Sequence, residues 1–402
     1  MKASYVEQLS RFLREDKHMS SDSTEIRIVH IVTRMNTGGV AVLLKNLLTN
    51  LDSEKFQVTL LVGSCDASEE DYLVANSQGI EYKRIPSMRK RISILSDIIA
   101  LSQIINILRQ LKPQIVHTHT SKAGLLGRIA SFLVDPKTIR IHTYHGTLLE
   151  GYFNPFFVRV IIIIERFLAL ITHNLVAMGN QVKNDLLEIG VGTEKKFLVF
   201  FPGVLIQVYL EQEEARTKLG LDIEATYCTF VGRLTQVKRP DRLLQTIEEI
   251  KNRGLKVEFL VVGEGDLSEE TQRIAASKTL PVNFLGWKNN VSDFWAASDI
   301  AILCSDNEAV SLVLIEASLA GIPIISTNVG AVSDVVIDGT NGLLTDVSAG
   351  ALADAIEKLA KDPALRASMG AAGQKRSHEL FSLARMISDH SQLYSHCMHG
   401  ND

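Results

Sequence analysis

Short apolar, β-branched runs alternate along most of the chain with stretches in which apolar residues recur every three or four positions. In the first half, strands are predicted at IRIVHIV (26–32), FQVTLLVG (56–63), IEYKRIP (80–86), QIVHTHT (114–120) and TIRIHTYHG (138–146), with helices from about Val40, Ile94 and Ala123. A second series runs through TYCTFVGRL (226–234), KVEFLVVGEG (256–265), VNFLGW (282–287), DIAILCS (299–305), IPIISTNVG (322–330) and GLLT (342–345). Its helices start at Pro240, Ser268 and Ala349, and another ends at Ala320. Strands alternating with helices make a parallel sheet covered on both faces, so two series predict two doubly wound α/β, Rossmann-like domains.

Between the series, FLVFFPGVLIQVYLEQEE (197–214) passes from an apolar strand through Pro202 and Gly203 to an acidic helix start, which puts the linker near residues 203–210. The expected organisation is an N-terminal extension (1–24), a first domain (25–204), a second domain (205–380) and a C-terminal helical segment (381–402) packing back on the first domain. Ligands of open α/β sheets sit beyond the carboxyl ends of the strands, so the interdomain cleft is the expected ligand site.

With 402 residues, 46% apolar and 22% charged, the chain can bury two sizeable cores, which excludes disordered, fibrous and disulfide-scaffolded classes. A formal charge of −4 gives no reason to expect a nucleic acid partner. Cys65, Cys228, Cys304 and Cys397 are far apart and form no CxxC or Cys/His ligand pattern, which reads as a reduced, cytoplasmic protein. The most apolar stretch, 156–171, is interrupted by Arg159, Glu165 and Arg166 and falls short of the roughly 20 residues of a membrane span. It reads as a helix buried between neighbouring layers, with a face lying on the membrane surface as the alternative.

The dinucleotide signature GxGxxG and the P-loop GxxxxGK[ST] are both missing. GEGDLS keeps only Gly263 and Gly265 of the first, and NTGGVAV has the adjacent pair Gly38 and Gly39. After the strand at 226–232, GRLTQVKRP places Gly232, Arg233 and Lys238 in a loop before the helix opened by Pro240; two cations beside a helix N-terminus suit a diphosphate. Glu308 lies in the loop after the strand at 299–305, and Glu316 falls well into the following helix, which Ser311 is placed to cap. The two carboxylates can face one crevice, one reaching sugar hydroxyls and the other a ribose diol. That helix is otherwise apolar, so Glu316 needs a partner.

In QIVHTHT, His117 and His119 share a strand face. A metal pair is the tempting reading, but no third ligand has suitable spacing, and no metal is expected. KRIPSMRKR (83–91) holds five bases and no acid. Arg89, Lys90 and Arg91 form either a solvated face or a contact with a lipid-linked diphosphate or an anionic membrane surface.

Taken together, these residues resemble the retaining glycosyltransferases of the GT-B fold, family 4, over residues 25–380. Glu308 to Glu316 looks like the family's Glu-x7-Glu motif, Gly232, Arg233 and Lys238 like its diphosphate motif, and Thr37, Gly38 and Gly39 like its glycine loop. VHTHTSKAGLLGR and HTYHGTLLEGYF resemble a bacterial subgroup that builds exopolysaccharide, capsule or O-antigen repeat units. The resemblance implies a nucleotide-sugar donor, a UDP-sugar above others, in the second domain and a saccharide or lipid-linked acceptor in the first. It implies transfer with retention, without a cofactor or required metal, in the cytoplasm or at the inner face of the cell membrane. Glu316 would hold the ribose, Glu308 the donor sugar, and Arg233 with Lys238 the leaving diphosphate. Gly263, Gly265 and Trp287 would surround the base, Val310, Ser311 and Leu312 would complete the donor pocket, and Gly38 and Gly39 would admit the phosphate. His119 would sit at the cleft near sugar and acceptor, with Lys122 and His145 on the acceptor side.

The chain departs from the family pattern at Ala309, Ala331, Gly179 and Leu205, where glycine, glycine, serine and an acid are usual. Ala309 bears most directly on the donor pocket, because its Cβ could crowd the sugar. Two rival readings are a nucleotide-sugar epimerase of similar fold and a catalytically silent nucleotide-sugar-binding paralogue.

Overall fold

The computed structural model describes residues 25–67, 69–146, 155–205, 207 and 209–399; the extension 1–24 and the latter part of HTYHGTLLEGYF lie outside the described residues. The first domain holds β1 (Ile26–Val32), β2 (Phe56–Val62), β3 (Tyr82–Arg84), β4 (Ile115–His119), β5 (Ile139–Tyr144), β6 (Asn174–Ala177) and β7 (Phe197–Val199). They pair in parallel in the order β3-β2-β1-β4-β5-β6-β7. The second holds β8 (Thr226–Val231), β9 (Val257–Val262), β10 (Val282–Gly286), β11 (Ile300–Leu303), β12 (Ile324–Thr327) and β13 (Gly342–Thr345), in the order β10-β9-β8-β11-β12-β13. Both sheets reverse direction beside their first strand, at β1/β4 and β8/β11, where crevices open at strand carboxyl ends. This is an α/β, two-domain GT-B architecture.

The sequence pattern missed β6, whose four residues are too few for a periodic signal, and overextended IEYKRIP, of which three residues pair. The helix Pro155–Leu170 corrects a second expectation, since it is not buried between layers. Phe157, Ile163, Phe167 and Leu170 are all more than half exposed. What docks it is Glu165, 2% exposed, which takes both oxygens to Arg128 Nη2 at 2.7 and 2.9 Å and accepts from Tyr144 Oη at 2.8 Å. The helix Ile94–Leu111 is long and apolar enough to cross a bilayer by length and composition. Here it packs on Ser121–Val134 and buries Ala100, Ile104 and Leu108 in the first core.

The helix Pro363–Leu380 belongs to the second domain, and the chain then crosses back. Val204 N donates to Phe381 O and Leu383 N donates to Val204 O, so the crossover runs beside the linker. The last helix, Leu383–His399, lies against the first domain and places Tyr394 and His390 under the β1/β4 face.

Candidate active site

The cleft is narrow where the loop 308–312 of the second domain meets loops after β1, β5 and β6. Gly39 faces Leu312, Gly146 faces Ala309, and Gly179 faces Val310 and Asp334. At Gly179 the fit excludes a side chain, because a Cβ there would stand 2.6 Å from Asp334 Oδ2 and 2.8 Å from Val310 Cγ2. The departure from serine thus has a cause: Asp334 reaches across to accept from Gln181 N at 3.1 Å and Asn180 Nδ2 at 3.0 Å, at the start of the helix Asn180–Glu188. Burial pushes the Asp334 carboxyl up. Ala309 finds room in the same way, over a residue without a side chain.

On the second-domain side, Glu308 is 8% exposed and accepts from Lys238 Nζ and Ser305 Oγ. Its carbonyl accepts from Ala331 N at 2.8 Å. Asp306, two residues before it, is clamped by Arg239 and Arg242 at 2.7–3.1 Å, which fixes the loop. Arg233 is exposed and pairs with no acid among the described residues. Lys238 therefore stands held by a carboxylate, and Arg233 stands ready for an anion. Thr235, between them, was not singled out from sequence; its Oγ1 is buried with no partner among the described residues.

The loops after β8, β9 and β10 are stitched into one floor. Gly232 N donates to Val262 O and Gly263 N to Gly286 O, both at 2.9 Å. Gly263 has φ +127 and its absent Cβ would overlap Gly232 O at 2.1 Å, so only glycine fits. Gly265 packs as closely on Leu234 O. Trp287 is 55% exposed at the rim, its indole N–H donating to Asn289 Oδ1 at 3.2 Å.

Val310 and Ser311 are buried at the start of the helix Leu312–Leu319. Ser311 occupies the N-cap position, but its side chain makes no cap bond, a correction to the expected role. Glu316 has found no cationic partner among the described residues; burial pushes its carboxyl up to about 7, and the Trp295 indole N–H opposes this. Tyr209 from the linker side donates to the Glu316 carbonyl at 3.2 Å.

The first domain changes three expectations. His119 is not on the cleft surface: it is 1% exposed, between His30 and His145. Lys122 is spent elsewhere, since Nζ donates to Asp97 Oδ1 at 2.7 Å and Arg91 O at 2.6 Å and so braces the basic loop. A third imidazole does stand beside His117 and His119. It is His30, which the β1/β4 register sets against His117, and the ligand nitrogens of the three lie within 4.8 Å of one another. No sequence spacing could find it, because it lies 87 residues away and meets the others only across the sheet. Burial holds all three neutral, His30 at about 3 and the others well below their usual value. His145, after β5, stands beside the cleft; burial puts it at about 4, and the residue after it, Gly146, faces Ala309. Arg89, Lys90 and Arg91 are exposed, with Lys90 3.9 Å from Glu69, which also pairs with Arg34 just after β1.

Comparison with known proteins agrees with this arrangement. Residues 37–204 match the family described as Glycosyltransferase Family 4, and residues 211–376 match Glycosyl transferases group 1. The chain is 26% identical to the capsular polysaccharide biosynthesis glycosyltransferase CapM of Staphylococcus aureus over 81% of this chain and 90% of that protein. It is 27% identical to an Escherichia coli UDP-Gal:alpha-D-GlcNAc-diphosphoundecaprenol alpha-1,3-galactosyltransferase, over 82% and 86%. Anabaena HepE, solved in complex with UDP, superposes with a TM-score of 0.78 at 18% identity, over 92% of this chain and all of that one. Two matched halves, joined as the fold joins them across one cleft, place the chain among the GT-B glycosyltransferases of family 4.

Proposed function

We propose that the protein moves a sugar from a UDP-sugar to a lipid-diphosphate-linked saccharide, with retention and without a metal, in the synthesis of a cell-surface polysaccharide. The observation that carries this reading is the cation pair at the cleft: Lys238 held on Glu308, and Arg233 exposed without an acid partner among the described residues, both on the loop after β8. Two cations on one loop can neutralise a leaving diphosphate by charge-assisted hydrogen bonds. The pair does the work for which other transferases recruit a divalent ion, so activity should survive EDTA. In this reading Glu308 meets the sugar, Glu316 the ribose, and the glycine floor from Gly232 to Gly286 the base. Retention follows from the resemblance: the new bond forms on the face the diphosphate leaves, where Arg233 and Lys238 hold the departing group. The Escherichia coli relative, named for UDP-Gal and a diphosphoundecaprenol acceptor, supports this donor and acceptor class.

The experiment is to incubate the protein with UDP-glucose, UDP-galactose and their N-acetyl forms, with and without a polyprenyl-diphosphate-linked sugar, in EDTA. An acceptor-dependent release of UDP and an axial anomeric linkage by NMR are expected. A product formed without acceptor would make the protein an epimerase, and binding without any product would make it the silent paralogue.

Membrane contact belongs to the same reading. Ile92, Ile94, Leu95 and Ile98 are 59–79% exposed directly beside Arg89, Lys90 and Arg91, so apolar insertion and attraction to anionic headgroups act on one face. Sedimentation with phosphatidylglycerol vesicles should pull the protein down at low salt, and Arg89→Ala/Lys90→Ala/Arg91→Ala should weaken this while UDP binding is unchanged. Equal sedimentation of the triple variant would remove the basic run from the contact.

A further inference from the structure

Six polar side chains form one continuous hydrogen-bonded line from Thr143 on β5, through Tyr394 of the last helix, to the edge of the cleft. Thr143 Oγ1 meets His117 Nε2 at 2.7 Å, and His117 Nδ1 meets Tyr394 Oη at 2.8 Å. Tyr394 Oη meets His30 Nε2 at 3.3 Å, His30 Nδ1 meets His119 Nε2 at 3.0 Å, and His119 Nδ1 meets His145 Nε2 at 3.1 Å. The last ring's other nitrogen, His145 Nδ1, is buried with no partner among the described residues. The three imidazoles His30, His117 and His119 have the spacing of a metal site. Yet both nitrogens of His30, His117 and His119 are already used within the line, and among the described residues no carboxylate joins the three to offset a buried divalent charge.

The line has a direction. A neutral imidazole carries one N–H and one acceptor nitrogen, and a hydroxyl carries one hydrogen, so fixing any link fixes every other. Thr143 is 1% exposed and its hydroxyl has His117 Nε2 as its one hydrogen-bond partner among the described residues. It donates there in the sense that leaves no hydrogen stranded inside the sheet; the one unpaired hydrogen is then on His145 Nδ1, at the end of the line beside the cleft, where a ligand can accept it. His117 then donates through Nδ1 to Tyr394, Tyr394 to His30, His30 through Nδ1 to His119, and His119 through Nδ1 to His145. The remaining hydrogen of His145 is left on Nδ1.

We infer that this line is a one-way relay that holds His145 as the neutral Nδ1–H tautomer, so that it offers a hydrogen-bond donor, and not a base, to a substrate oxygen at the cleft. The substrate class is an oxygen-rich one, a hydroxyl or ring oxygen of the sugar undergoing transfer, and this part rests on the transferase reading above. Tyr394, His30, His117 and His119 are positioning residues in this scheme. No net proton moves. The scheme also gives the crossover of the last helix a purpose, since that helix supplies the one link, Tyr394, that joins His117 to His30.

The test reads the tautomer directly. In full-length protein labelled with 15N-histidine, long-range 1H–15N correlations should show His145 protonated on Nδ1 alone. In Tyr394→Phe, the line is cut, and His145 should move toward the Nε2–H form that free imidazole side chains favour. Thr143→Val removes the first donor with little change of shape, and the same change at His145, carried through four intervening links, is expected there. A purely structural role for Tyr394 or Thr143 would leave the tautomer in place. His145 found as Nε2–H in the native protein would overturn the relay, as would one equivalent of tightly held metal by elemental analysis. Turnover in Thr143→Val should fall about tenfold in kcat with KM for the UDP-sugar held. The NMR readout needs no substrate, so a failed relay and a failed transferase reading are told apart.

Discussion

The two sheets share a winding and differ in where they keep their polar groups. The first buries five histidines, four of them on its strands, together with the Arg128–Glu165 pair, whereas the second buries no histidine among its described residues, and its buried charged groups Arg216, Arg242, Glu308 and Asp334 lie on helices or in loops, off the strands. In the second domain, residues that act together are close in sequence or sit on consecutive loops, as Arg233 and Lys238 do. In the first, the groups that meet come from β1, β4, β5 and the last helix. Polar residues on interior strands are therefore poor evidence of a surface site, and loop residues after strands are good evidence of one.

Acid should break the symmetry between the domains most strongly. Burial holds His30 at about 3 and His390 at about 4 in the folded state, below the ordinary 6.5, so the unfolded chain binds more protons. Stability is then full above pH 6.5 and is lost as pH falls toward 4, by about 3 kcal/mol for each of these two residues. Glu316 runs the other way, its raised carboxyl favouring the folded second domain as pH falls. Hydrogen exchange read by peptide at pH 7, 5.5 and 4.5 should show the first domain opening while the second stays protected; equal opening of both would remove the distinction.

Arg128→Ala should cost about 3–5 kcal/mol in urea unfolding, because it leaves Glu165 as a buried unpaired carboxylate. Glu316→Gln should stabilise by roughly 2–3 kcal/mol at pH 8, where the native carboxyl is ionised, and by nothing at pH 5, while weakening UDP binding. Thermal unfolding at the two pH values checks it. Lys238→Ala should lower turnover about 10- to 150-fold through loss of charge-assisted bonds of roughly 1.5–3 kcal/mol to the diphosphate, read by UDP release. Gly179→Ser should be the mildest, about 1–3 kcal/mol of crowding against Asp334 and Val310, seen as a wider interdomain distance in small-angle scattering.

The strands β1, β2, β4, β5 and β8–β13 were legible in sequence to within a few residues, since apolar runs bounded by turn residues need only local information. The GRLTQVKRP loop and the Glu308 to Glu316 spacing were legible for the same reason. His30, Tyr394 and Thr235 were not, because nothing near them in the chain marks them. Lys122 carried the right chemistry at the right place, and its neighbours Asp97 and Arg91 took it up; Ser311 stands at the N-cap position without a side-chain cap bond.

The sequence by itself determined two parallel sheets, a linker near Pro202 and a cation loop opposite a pair of carboxylates, because each depends on periodicity and on residues a few positions apart. Only the tertiary structure decided that Lys238 is held by Glu308, that Asp334 crosses to the start of the helix Asn180–Glu188 where Gly179 leaves room, and that His119 is an internal link behind His145. Register between strands and the return of the last helix bring together residues up to 364 positions apart, and burial then sets their charge.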